Sequence, residues 1–144
     1  MDSVSLCLLK QLAKKREMPL RECAELLPKI TNDHLDFYPL ASLIKRGMVD
    51  IHTKTDGKPF RESNERELAT LLYGYLSVSV DKGVSEYQGM WFSGHGFGDE
   101  KLFATAIGYF ALDEMRSKRS ERIWAFAAGI FTAVVAASLK GFLS

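Results

Sequence analysis

Apolar positions recur at helical spacing from the start of the chain. Val4, Leu6, Leu8, Leu9, Leu12 and Ala13 fall near one face, which predicts a helix over residues 3–16 capped by Ser3 or Ser5. Met18-Pro19 ends it, because proline cannot continue a hydrogen-bonded helix and restricts the residue before it. A short second helix over 20–27 stops at Pro28. Thr31-Asn32-Asp33 then starts a third, carrying Leu35, Phe37, Leu40, Leu43 and Ile44 until Gly47 closes it. Pro39 distorts this helix or splits it into two turns. The period then changes. Met48-Val-Asp-Ile-His-Thr53 alternates apolar and polar residues, Asp56-Gly57 is a hairpin dipeptide, and Phe60 begins a return strand.

From Ser63 the helical period returns. Ser63 and Asn64 are polar caps followed by acids, leading into Leu68, Leu71, Leu72, Tyr75 and Leu76 on one face of a fourth helix. Residues 83–98 hold five glycines around Tyr87, Met90, Trp91, Phe92 and Phe97, the pattern of a connecting loop with a short strand pair around Met90-Trp-Phe92. Asp99-Glu100 opens a fifth helix through Leu102, Phe103, Ala106, Ile107, Phe110, Leu112 and Met115. No breaker separates it from the cluster Arg116-Ser-Lys-Arg-Ser-Glu-Arg122 or from the apolar residues beyond, so one helix of about 40 residues is expected.

Three helices followed by a β-hairpin in about 60 residues resemble a winged helix-turn-helix domain. The segment Leu40-Ala-Ser-Leu-Ile-Lys-Arg-Gly-Met-Val-Asp-Ile carries the resemblance most closely. It is similar to the end of the recognition helix and the first wing strand of that superfamily, where Leu-x-x-Leu-x-x-x-Gly-hydrophobic-Val recurs. The resemblance covers residues 3–61 and implies a module that binds DNA or protein.

Residues 123–139 form the one long run without an ionisable side chain, 17 residues rising about 25 Å against a hydrocarbon core of about 30 Å. If Lys140 snorkels outward, the apolar length reaches residue 143 at about 31 Å. Arg116, Lys118, Arg119 and Arg122 flank the near side, Trp124 sits at headgroup level, and Lys140 alone lies beyond. These features predict a single transmembrane helix with the N-terminus cytoplasmic, in a bacterial inner membrane. Ala125, Gly129, Ala133 and Ala137 form a small-residue stripe suited to helix–helix packing, and Ala128, Thr132 and Ala136 form a second. The expected fold is mainly α. A winged helix-turn-helix domain spans 1–62, a helical region with the Gly/aromatic loop spans 63–122, and a membrane helix spans 123–143.

Composition narrows the chemistry. At 144 residues the chain holds one ordinary domain, or a small one with extensions, and a hydrophobic fraction of 47% is ordinary for a folded protein. Net charge is +1, with 11 basic and 9 acidic residues in 1–62 and 8 against 9 thereafter. A dedicated duplex binder carries a clearer positive excess. Asp33 and Asp36 stand near the start of the third helix, where base edges and phosphates would lie. The candidate nucleic-acid contacts are Lys45 and Arg46 at its far end and Lys54, Lys58 and Arg61 around the wing.

Cys7 and Cys23 fall on apolar stripes and read as buried free thiols, and three histidines in no ligand spacing leave no metal site. Ser93-Gly-His-Gly-Phe-Gly-Asp-Glu100 is the most enzyme-like string. Asp99 and Glu100 already occupy the positive end of the helix it leads into, and His95 has no local base or nucleophile. No catalytic residue, cofactor or small-molecule substrate is expected. Met1-Asp-Ser-Val-Ser lacks the basic start of a signal peptide.

The expected function is a non-enzymatic, membrane-tethered adaptor whose winged helix engages a protein partner, with the lipid bilayer and a second copy as further partners. A membrane-anchored DNA-binding regulator is the alternative. A small defence or toxin effector oligomerising through its tail is the third reading.

Overall fold

The computed structural model describes residues 1–52, 62–77, 83–93 and 97–142, with the side chains of 97 and 133–142 excepted. The chain forms two compact units, Met1–Tyr109 and Phe110–Ser144.

Helix α1, Ser3–Lys15, is capped by Asp2, whose Oδ1 accepts the Ser5 backbone N–H at 2.6 Å and whose Oδ2 accepts the Ser5 hydroxyl at 2.9 Å. The expected serine cap is therefore the donor, and the aspartate before it does the capping. Leu8, Leu9 and Leu12 bury the inner face of α1. Glu17–Pro19 is a short strand, β1, where the sequence indicates only a helix stop. Pro19, without an N–H, sits at the end of this edge strand, as the ladder requires. Helix α2, Leu20–Glu25, follows directly.

The expected third helix divides at the proline. A 3-10 turn over His34–Phe37 precedes α3, Tyr38–Lys45, with Pro39 in its first turn, where a missing N–H costs nothing. Gly47, at φ +69°, closes α3 and lets Met48 donate to the Leu43 carbonyl at 3.0 Å.

Strand β2, Val49–His52, shows the alternating burial expected of it. The expected turn over 54–59 and the return strand from Phe60 lie outside the described residues. Among those described, β2 pairs antiparallel with a strand from much later in the chain, Lys101–Ala104. That strand also pairs antiparallel with β1, giving the order β1, Lys101–Ala104, β2. It occupies the centre of the sheet, with Leu102 and Ala104 buried. This corrects the expected start of the fifth helix at Asp99-Glu100. Leu102 and Phe103 belong to alternating β structure, because strands waiting on both sides satisfy their backbone.

Between β2 and the central strand lie α4, Glu65–Ser77, and a hairpin of β3, Val84–Tyr87, with β4, Met90–Ser93. Asn64 and Glu67 form a reciprocal capping box. Asn64 Oδ1 accepts the Glu67 N–H at 2.9 Å, and Glu67 Oε2 accepts the Asn64 N–H at 3.1 Å. Gln88 and Gly89, at φ +54° and +76°, make the two-residue turn of the hairpin. Its inner face seats Phe92 edge-on to Tyr75, with ring centroids 5.2 Å apart. Gly74 has no side chain because the Phe92 ring fills the space a Cβ would need.

The central strand, β5 in chain order, leads into α5, Ala106–Phe142, a continuous helix of 37 residues. Thr105 anchors its start. The Thr105 hydroxyl bonds the Gly47 carbonyl and accepts the Gly108 N–H at 3.3 Å, while the Thr105 N–H donates to the Met48 carbonyl at 3.0 Å. A Cβ on Gly108 would run into that same Met48 carbonyl oxygen. Leu8, Leu9, Leu12, Met18, Leu40, Leu43, Leu68, Leu72 and Leu102 are fully or almost fully buried, so α1, α3, α4 and the sheet share one core in the first unit.

Among the described residues no helix is long and apolar enough to cross a membrane. This overturns the single-pass anchor over 123–143, the fold class that included it, and the inner-membrane localisation and lipid anchoring drawn from it. The uncharged run of residues 123–139 rises about 25 Å as helix, short of a hydrocarbon core of about 30 Å. Arg116, Lys118, Arg119 and Arg122 are exposed residues of the same continuous helix, and their membrane-flanking role falls with the span. Trp124 is exposed there too, and the side chain of Lys140 lies outside the described residues.

Candidate interaction surface

Of the residues expected to read nucleic acid, Lys45 and Arg46 are among those described. Helix α3 packs against α1 on one side and α4 on the other, and α4 also covers the 3-10 turn that precedes it. Leu40, Ala41 and Leu43 are buried, Tyr38, Pro39, Ser42 and Ile44 are half-buried, and Lys45 is the exposed residue of the helix. Arg46 is exposed one position on. His34 is buried, with Nδ1 2.9 Å from the Tyr87 hydroxyl. Lys54, Lys58 and Arg61 lie outside the described residues.

The two aspartates of this region serve its own backbone. Asp36 accepts the N–H groups of Ile30, Thr31 and Asn32 at 3.1, 3.0 and 2.8 Å and the Thr31 hydroxyl at 2.9 Å. Desolvation pushes its pKa upward, but the bonds from Thr31, Asn32 and Ile30 outweigh it and hold the carboxyl below its ordinary range. Asp33 accepts the Leu35 N–H at 2.7 Å as the cap of the 3-10 turn. Asp33 thus fills the capping role that the Thr31-Asn32-Asp33 start implies, while the part Asp36 plays in closing residues 30–32 has no signature in the sequence.

Beside this loop lies a cleft of about 490 Å³, between α2, residues 27–33, the 3-10 turn and α4. Leu27, Phe37, Tyr73 and Leu76 supply its apolar walls. Tyr73 meets Phe37 edge-on at 5.9 Å and Tyr87 at a tilt at 4.8 Å, and its hydroxyl donates to the Asn32 carbonyl at 3.1 Å. The size is that of small-ligand sites. Its charges oppose one another: Arg21 and Lys29 stand against Glu25, Asp33 and Asp36, so no ligand charge is selected. Among the described residues no group of His, Cys, Asp and Glu is placed to hold a metal ion. Burial, with Glu22 beside it, pushes the Cys23 thiol up to about 12, so this sulfur is no nucleophile at neutral pH.

The second unit has a different surface. Ile123, Trp124, Phe126, Ile130 and Phe131 are 59%, 73%, 73%, 52% and 72% exposed within nine residues, far beyond the scattered apolar exposure of ordinary surfaces. At about 100° per residue these five, with Ala127, cover about 160° of the helix. Ala125, Ala128, Gly129 and Thr132 fill the opposite side. A Cβ on Gly129 meets nothing within 4 Å, so that side is open. Thr132 returns its hydroxyl to the Ala128 carbonyl at 2.9 Å, which leaves the small face without an unmet polar group. Of the expected packing stripe, Ala125 and Gly129 share this face, and the side chains of Ala133 and Ala137 lie outside the described residues. Apolarity alone does not distinguish lipid from protein as the cover of such a run.

No protein-family model, curated protein or solved structure matches the chain.

Proposed function

We propose that this chain is a non-enzymatic protein-binding module, with the exposed apolar stretch of α5 as its contact surface and the first unit as the folded body that carries it. One observation carries the reading: five large apolar side chains, each more than half exposed, stand within residues 123–131. Leaving them in water forfeits about 1.5–3 kcal/mol for each side chain that a partner would otherwise bury.

The winged-helix resemblance of residues 3–61 fits this role as scaffold. Three α-helices and a 3-10 turn precede β2, and the sheet is antiparallel, features that support the resemblance. The enclosure of α3 by α1 and α4 weighs against groove reading, which needs an exposed helix face. The regulator and effector readings that depend on a membrane span are set aside with the span.

Photo-crosslinking tests the proposal. A benzophenone amino acid placed at Phe126 or Phe131 in the full chain is expected to form discrete polypeptide adducts in cells, and one at Lys10 on α1 is not. Absence of adducts at both apolar positions overturns the reading. So does salt-sensitive binding of random duplex DNA that survives Phe126→Glu.

A further inference from the structure

We infer that the partner of the apolar face of α5 is a second copy of this chain, docked antiparallel about Ala127. The inference rests on the protein-binding reading and names the occupant of that same surface.

Area comes first. Fully exposed aromatic side chains present about 150–250 Å² each, so Trp124, Phe126 and Phe131 at their exposures offer on the order of 400 Å² per copy. Two copies bury on the order of 800 Å² from aromatics alone. Ile123 and Ile130 bring the total to about 1,000 Å², where specific interfaces begin. One helix thus carries enough apolar surface to close on itself without a larger partner.

Direction follows from charge. Arg116, Lys118, Arg119 and Arg122 crowd the near end of the apolar stretch, offset by Glu121 and by the Glu114–Lys118 pair at 2.6 Å, which is exposed and weak. A parallel pair would set both cationic clusters side by side. Antiparallel pairing about Ala127 carries them to opposite ends, about 24 Å apart, more than two screening lengths at physiological salt. The same pairing brings Ile123 of one copy level with Phe131 of the other, and Trp124 level with Ile130. The two Ala127 residues meet at the centre, where their small side chains permit close approach.

The experiment uses the full chain carrying Cys7→Ser, since Cys7 is the exposed native thiol and Cys23 is buried. Light scattering after size exclusion is expected to give twice the 16.2 kDa chain mass. Phe126→Glu is expected to raise the dimer dissociation constant roughly tenfold or more, because the interface would bury a carboxylate. Under mild oxidation Ala127→Cys is expected to crosslink to itself. Ile123→Cys is expected to crosslink to Phe131→Cys in a mixture and not to itself. Self-crosslinking of Ile123→Cys overturns the antiparallel arrangement. A monomer whose benzophenone adducts are all with other polypeptides overturns the second copy and leaves the protein-binding reading standing. A monomer with no adducts removes both, and a monomer taken up by neutral phospholipid vesicles overturns the self-pairing.

Discussion

Asp36 gathers the backbone of residues 30–32 with four hydrogen bonds, so its removal frees three N–H groups and a hydroxyl at once. The site is partly solvated, so Asp36→Ala is expected to cost about 1–2 kcal/mol, read from the midpoint of urea unfolding. Its pH behaviour has a definite sign. The folded pKa lies below the ordinary 3.8, so this stabilisation is fully present at neutral pH. It fades as pH falls through the unfolded value and then the folded one, and Asp36→Asn should flatten the unfolding curve below about pH 4 relative to the parent. The two cysteines make a second contrast. Cys7 is exposed, while burial pushes the Cys23 thiol to about 12. At pH 8 a disulfide reagent is expected to titrate one thiol per folded chain promptly and the second only on unfolding. Two equally fast thiols would contradict the buried environment of Cys23.

Among the elements, α4 joins local to long-range information most visibly. Its capping box at Asn64 and Glu67 is readable from four adjacent residues, and Asn64→Ala is expected to cost about 1 kcal/mol in thermal or urea unfolding. Gly74, ten residues on, is not readable in that way. In an isolated helix Gly74→Ala would gain about 1 kcal/mol of propensity. Here the new Cβ meets a fully buried, rigid Phe92 ring, so a net loss of roughly 1–2 kcal/mol is expected, and in a Phe92→Leu background the loss should shrink or reverse. The same division governs how far the sequence pattern reaches. Helices α1, α2 and α4 stand close to their expected positions because caps, prolines and the 3.6 period are local. The strands β1 and Lys101–Ala104 escape notice because each is only three or four residues long and its partners lie far away in sequence. Phe103 and Leu102 then look like the first turn of a helix whose real start, at Thr105, is fixed by contact with Gly47 and Met48.

At the scale of the whole molecule, the exposed face of α5 is legible in the sequence as an apolar run. The continuity of the charged segment with this run is legible as well, since no breaker separates them, and one helix carries both. The enclosure of α3 is invisible there, since it depends on α4 returning from beyond β2 to cover it. Long-range closure also sets what can fold alone. Residues 1–62 look like a self-sufficient module by period and by resemblance. Yet among the described residues β1 and β2 do not pair with each other, and both pair with the strand at Lys101–Ala104. Without that strand two sheet edges lose their ladder, and the core loses Leu102, Ala104 and the α4 side chains Leu68 and Leu72 that lie over α3. Fully burying each leucine is worth about 1.5–3 kcal/mol, so these three alone approach the entire 5–15 kcal/mol stability of a typical domain. A fragment of residues 1–62 is therefore expected to show no cooperative thermal transition by circular dichroism, whereas residues 1–109 melt in one step. A sharp transition in the shorter fragment would show that β1 and β2 find another arrangement when the central strand is missing.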